Sequence, residues 1–194
     1  GYHSLLQSKL LEFESLAAKG LNARIFKTLK ERSEDASKWL HDEHGVKSLR
    51  EGFANTTLMA IAPTKSSSFI LGQVSMGIEP IKSNYFIKDL AKVKQVYKNP
   101  FLKAELKKYD LDTPEVWEGI LKKDGSVQHL DFPTKEVFKS FVEITPKELV
   151  LQAAQRQKFI DQSQSLNLMI HPSVPAKDIN QLYLYAWEEG VKTL

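Results

Sequence analysis

Thr57-Leu58-Met59-Ala60-Ile61-Ala62 is an unbroken apolar run that stops at Pro63, and it narrows the possible architectures sharply. A short, continuous run ended by proline is expected of a strand buried on both faces. Leu166-Asn167-Leu168-Met169-Ile170, closed by His171-Pro172, is a second run of this kind. Between Pro175 and Glu189 a helical pattern turns Ile179, Leu182, Tyr183, Ala186 and Trp187 inward. Gly190 and the strand-like Val191-Lys192-Thr193-Leu194 follow. Strand, helix, strand in that order implies a parallel crossover in an α/β architecture.

The rest of the chain divides around these runs. Residues 1–45 read as a helical pair. The first helix covers residues 2–18, with Leu5, Leu6, Leu10, Leu11, Phe13 and Leu16 near helical spacing and a stop at Gly20. The second runs from Asn22 to His44 and ends at Gly45. Residues 55–80 form the strand and the loop after it. Residues 84–144, rich in lysine and aromatics, read as an insertion with short helices near Pro100–Tyr109 and Thr113–Lys123. Asp124-Gly125 marks a turn there, and Ser126–Leu130 a small strand. Residues 146–194 give helix, strand, helix, strand. Paired helices normally cover another layer, so this chain is expected to belong to something larger than a helical hairpin.

Hydrophobic residues at 42% and charged residues at 26% of 194 give the balance of a globular protein with a sizeable core. The net charge of +3, from 27 basic and 24 acidic residues, gives only a weak electrostatic case for nucleic acid or an anionic membrane. The sequence holds no run long enough to span a bilayer and opens without the regions of a signal peptide, so a cytoplasmic location is expected. It contains no cysteine, which excludes disulfides, thiolate metal sites and thiyl chemistry within these residues.

Chemistry concentrates where the first apolar run ends, in Pro63-Thr64-Lys65-Ser66-Ser67-Ser68. A hydroxyl-rich turn opening a helix exposes unpaired amides that suit a phosphate, with Lys65 able to add a charge. The residues alone favour the serines as ordinary helix caps and leave the phosphate reading open. The spacing is not that of a Walker loop.

Three separate segments carry a family resemblance. Asn55 to Thr64 with Ser66-Ser67-Ser68 and Gly77-Ile78-Glu79-Pro80 is similar to the phosphate-binding strand and loop of ribonucleotide reductase large subunits. Arg156 to Leu168 resembles a second signature of that family, and Ala186-Trp187 with Gly190 to Leu194 a third. The opening helices, with His3-Ser4, Phe13 and Ile25-Phe26, also fit. The resemblance implies a partial ten-stranded α/β barrel, that is, a half-barrel with flanking helices drawn from the C-terminal part of the catalytic domain. It assigns Pro63, Thr64, Lys65, Ser66, Ser67 and Ser68 to the phosphate of a ribonucleoside di- or triphosphate, and sets Glu79 and Pro80 beside the pocket. Family members reduce the ribose with a cysteine thiyl radical and a redox cysteine pair, and these residues contain neither. The resemblance therefore implies a complete enzyme with a radical generator, a thiol reductant, the preceding part of the large subunit and a small radical-generating subunit. No cofactor or metal is expected within these residues. A free-standing phosphate-binding module and an interaction protein are the rival readings, and self-association through open strand edges is a further expectation.

Other groupings read as structural. His41-Asp42-Glu43-His44 is an exposed helix end without a third ligand. Asp161 and Glu79 are a helix-end contact and a turn before they are an acid and base. Tyr183, Tyr185 and Trp187 do not share a helix face and so make no relay. Lys88, Lys92, Lys94 and Lys98 with Tyr85, Phe86 and Tyr97 form a solvated face.

Overall fold

The computed structural model describes residues 1–90 and 93–194 and has an α/β fold in which helices predominate. In chain order the elements are α1 (Tyr2–Ser8), α2 (Leu16–His44), α3 (Lys65–Ile70), the strands β1 (Tyr85–Leu90) and β2 (Val93–Lys98), α4 (Pro100–Lys108), α5 (Pro114–Lys122), 3-10 turns at Lys135–Phe138 and Phe141–Glu143, α6 (Pro146–Gln157) and α7 (Ala176–Glu188). They fall into two compact units. One gathers Gly1–Ser15, Thr64–Thr145 and Met169–His171, and the other Leu16–Pro63, Pro146–Leu168 and Pro172–Leu194.

The first unit is built on the caps of α4 and α5. Asn99 accepts from the amides of Phe101 and Leu102, Thr113 accepts from Val116, and Pro100 and Pro114 occupy first-turn positions where no amide is needed. The helices so started bury Leu102, Leu106, Trp117 and Ile120 against Val127, Phe132, Val137 and Phe138. Burying a Leu or Phe side chain stabilises by roughly 1.5–3 kcal/mol, so this cluster is a substantial part of the unit's driving force. The hairpin β1–β2 pairs antiparallel, Tyr85 opposite Lys98 and Phe86 opposite Tyr97. Tyr85 meets Trp117 edge-on at 5.6 Å. A buried polar chain crosses the unit. Gln7 accepts from Asn99, Asn99 donates to Asn84, and Asn84 donates to the carbonyls of Gly125 and Phe138. Gly125 has φ +86, and a Cβ there would sit 1.9 Å from Ser83 Oγ, so no other residue fits.

In the second unit α6 packs on α2 and α7 on α6. Fully buried Arg156 joins them. Its Nε donates to Gln164 at 2.6 Å and its NH1 to Asn22 at 3.0 Å, while Asn22 donates to the Gln152 carbonyl.

Several expectations are corrected. The first helix ends at Ser8, well short of residue 18, and Gly20 lies inside α2. The break comes at Leu10, whose φ of +52 lets Leu10 donate to Gln7 and Leu11 to Leu6 in a Schellman turn. A left-handed leucine has no signature in sequence. Thr57–Ala62 forms no ladder among the described residues. It is held by one parallel bridge, Ile61 to Gln164, and Ala60 and Ala62 are exposed where burial on both faces was expected. The pairing residue precedes the apolar run Leu166–Ile170, which itself is coil. Val191–Leu194 is likewise coil, tied down by Thr193 donating to the Gln164 carbonyl. Ser126–Leu130 is a turn, because Leu130 donates back to Val127 and Ser126 Oγ is engaged by Glu143. Tyr183 and Trp187, expected inward, are 53% and 75% exposed, and of that face only Ala186 is buried.

Candidate functional site

Thr64 turns the chain from the apolar run into α3 with φ +49 and ψ 36. A β-branched residue in the left-handed region costs on the order of 1–2 kcal/mol, so the surrounding bonds must hold it there. They are visible: the Thr64 carbonyl accepts from Ser68 at 3.0 Å, and its hydroxyl accepts from Gly77 at 2.8 Å. The second bond sets the turn Gly77-Ile78-Glu79-Pro80 beside the start of α3.

Because Ser68 makes the first backbone bond of the helix, the amides of Lys65, Ser66 and Ser67 lie ahead of it and face outward without an acceptor among the described residues. The side chains of Lys65, Ser66 and Ser67 are exposed, as are Pro63 and Thr64. Ser68 differs from its neighbours. It is 3% exposed and its hydroxyl donates to the Lys65 carbonyl at 2.8 Å, so that oxygen braces the turn and is not presented outward. Glu79 and buried Pro80 line, with Ser68, a cavity of about 360 Å³ within the first unit.

In the second unit the run that leads to Pro63 is held by its neighbour. Asp161 Oδ2 accepts from the amides of Leu58 at 2.5 Å and Met59 at 3.2 Å, Gln162 donates to Met59, and Ile61 donates to Ser163. Asp161 therefore anchors backbone amides of the apolar run, in place of the helix-end contact expected of it. Sequence reasoning did not find Arg156 or Gln164 as organisers of this region, since nothing in the one-dimensional pattern distinguishes a buried arginine from a surface one.

His41 contacts Asp42 at 3.0 Å and His44 packs edge-on against Trp39 at 4.9 Å, at the end of α2. Among the described residues no group of three or more His, Cys, Asp or Glu side chains is arranged to hold a metal ion. Nor, among them, is any helix long and apolar enough to cross a membrane. Of the lysine-rich face, Lys92 lies outside the described residues, and Lys98 lies over the rings of Tyr85 and Trp117, 5.5 and 4.7 Å from their centroids.

Residues 35–194 match the family model for the ribonucleotide reductase barrel domain. The chain belongs to that family. It is 37% identical, along its whole length, to the ribonucleoside-diphosphate reductase large subunit of Invertebrate iridescent virus 6, and 39% identical to that of Invertebrate iridescent virus 3. These alignments span 21% and 32% of the two viral proteins. A solved structure, the Actinobacillus ureae class Id ribonucleotide reductase alpha subunit, superposes with a TM-score of 0.91 at 52% identity. The superposition covers 99% of this chain and 36% of that one. The fold is thus that of part of the reductase barrel, with limited strand content and flanking helices, and the chain spans about a fifth and a third of the two viral relatives.

Proposed function

We propose that this chain is the portion of a ribonucleoside-diphosphate reductase large subunit that anchors the phosphates of the ribonucleotide. The observation that carries this reading is the row of outward amides at Lys65, Ser66 and Ser67, behind a left-handed Thr64 pinned to Gly77. Hydrogen bonds from such donors to a charged oxygen contribute roughly 1.5–3 kcal/mol each, enough for a few of them to fix a diphosphate. Ser66 and Ser67 hydroxyls and the Lys65 ammonium add donors on the same exposed side, while Ser68 supports the turn from within. Glu79 and Pro80 border the neighbouring cavity and shape the approach.

The reduction itself falls to residues outside this sequence. With no cysteine, these residues have no thiol to carry a radical or to supply electrons. The complete enzyme then requires the rest of the large subunit, a radical generator such as a small subunit, and a thiol reductant, and it delivers deoxyribonucleotides for DNA synthesis.

Titration of ADP into the protein, followed by amide chemical shifts, tests the assignment. Shifts are expected at Lys65, Ser66 and Ser67, with adenosine leaving them unmoved. The double variant Ser66→Ala/Ser67→Ala is expected to weaken ADP binding by about tenfold or more, since each charge-assisted bond exceeds roughly 1.4 kcal/mol. An ADP response that bypasses this loop would overturn the reading.

A further inference from the structure

The segment that returns from α3 toward Pro80 is held by α1. Ser4 and Ser75 lie 71 positions apart in sequence and are both buried, 4% and 3% exposed. Their bonds are reciprocal: the Ser4 amide donates to Ser75 Oγ at 3.0 Å, and the Ser75 amide donates to Ser4 Oγ at 2.8 Å. The Tyr2 amide donates to the Gly77 carbonyl at 2.9 Å, and the Ile81 amide to His3 Nδ1 at 2.9 Å. Buried amides are costly to leave unpaired, so these bonds fix residues 75–81 against α1.

The same segment reaches the loop. The Gly77 amide donates to the Thr64 hydroxyl at 2.8 Å, and the Val74 amide donates to the Ser68 carbonyl at 3.2 Å. Thr64 lies in the left-handed region, which a β-branched residue leaves unless something holds it. Gly77 supplies part of that hold, and α1 places Gly77. A displacement of the turn by about 1 Å would carry the bond between Gly77 and Thr64 beyond hydrogen-bonding range and release the residue that aims the amides of Lys65, Ser66 and Ser67.

We infer, on the phosphate assignment proposed above, that Ser75 is a positioning residue for the phosphate loop, acting through Gly77 and Thr64 and touching no ligand itself. Removing its hydroxyl takes the acceptor from the Ser4 amide and leaves every donor of the loop in place. The segment then relaxes away from α1, and the loop loses its alignment while keeping its chemistry.

ADP titrations followed by amide shifts compare the wild type with Ser75→Ala and Ser75→Thr, with a thermal melt to report on each variant's fold. Ser75→Thr keeps the hydroxyl, and the cavity that Ser75 lines gives the added methyl room. Ser75→Ala is expected to weaken ADP binding about fivefold, the effect of one neutral hydrogen bond, and to move the amide signals of Gly77, Lys65 and Ser66 before any ADP is added. Ser75→Thr is expected to restore affinity and signals together. Unchanged ADP affinity in Ser75→Ala, whatever its melting temperature, overturns the positioning role while the phosphate assignment stands. A threonine variant as weak as the alanine one overturns the part given to the hydroxyl. Where Ser75→Ala fails to fold, amide exchange in the wild type decides. Saturating ADP is expected to slow exchange at Gly77, because a loop closed on phosphate fixes Thr64, its acceptor, and an unaltered rate overturns the coupling. A wild-type loop that ignores ADP overturns the phosphate assignment and this role with it, so the two failures are told apart.

Discussion

His3 shows how strongly one buried residue is bound to its surroundings. It is fully buried, its Nδ1 accepts from the Ile81 amide at 2.9 Å, and burial drives its pKa down to about 3, with a hydrogen bond to the Val137 backbone pulling weakly the other way. An unfolded histidine titrates near 6.5. Between these values the unfolded chain binds a proton that the folded one refuses, so stability is full above about pH 6.5 and falls as the pH drops toward 3. The slope for one proton is about 1.4 kcal/mol per pH unit. Urea melts at pH 7, 6, 5 and 4 (about one unit apart, to sample that slope) are expected to lose stability progressively. His3→Asn, which keeps an acceptor in the δ position, is expected to flatten this component. An unchanged slope in the variant would place the acid sensitivity elsewhere. Nothing in the sequence marked His3 for this role, because burial of a polar residue depends on partners 78 positions away.

Helices with local start and stop signals were legible, and those set by tertiary contacts were not. Pro100 and Pro114, each after a capping residue, gave α4 and α5 within a residue or two, and Gly45, with φ +64, closes α2 where its residue type indicates. Gly20 misled, since a glycine inside a long helix costs only about 1 kcal/mol and α2 absorbs it. The hairpin β1–β2 was missed because its lysines and aromatics gave no clean alternation. The hydroxyl-rich turn into α3 was readable from Thr64 to Ser68, yet the inward bond of Ser68 and the left-handed Thr64 were not, being consequences of the Gly77 contact. The Schellman turn after α1 yields a direct test. Leu10 is 40% exposed and pays a left-handed penalty of about 1–2 kcal/mol, which glycine avoids. Leu10→Gly is therefore expected to stabilise the protein by about 1 kcal/mol, read as a higher urea midpoint. A lowered midpoint would mean that the exposed leucine's contacts outweigh the strain.

Each unit, taken by itself, leaves apolar surface uncovered. In the first, Ile70 and Leu71 are 86% and 70% exposed, and in the second Leu49 and Trp187 are 95% and 75% exposed. Single exposed leucines are common, but neighbouring apolar residues such as Ile70 and Leu71 at the end of α3, or Tyr183, Leu184 and Trp187 on α7, mark surfaces that proteins ordinarily cover. The run Thr57–Ala62 adds a partial edge, for Leu58, Met59 and Ile61 are bonded to residues 161–165 while Ala60 and Ala62 meet no second strand among the described residues. Relatives several times longer supply a source of cover, since this chain spans only part of each. In isolation the same surfaces have only one another. The isolated chain is accordingly expected to associate with itself in a concentration-dependent way, giving a light-scattering mass above that of one chain and a melting temperature that rises with protein concentration. Under the proposed assignment, adding the separately produced residues that precede the matched region in such a large subunit is expected to replace self-association with a one-to-one complex. A monomer whose melting temperature ignores concentration would show instead that these apolar surfaces are tolerated in water and that the strand edge needs no partner.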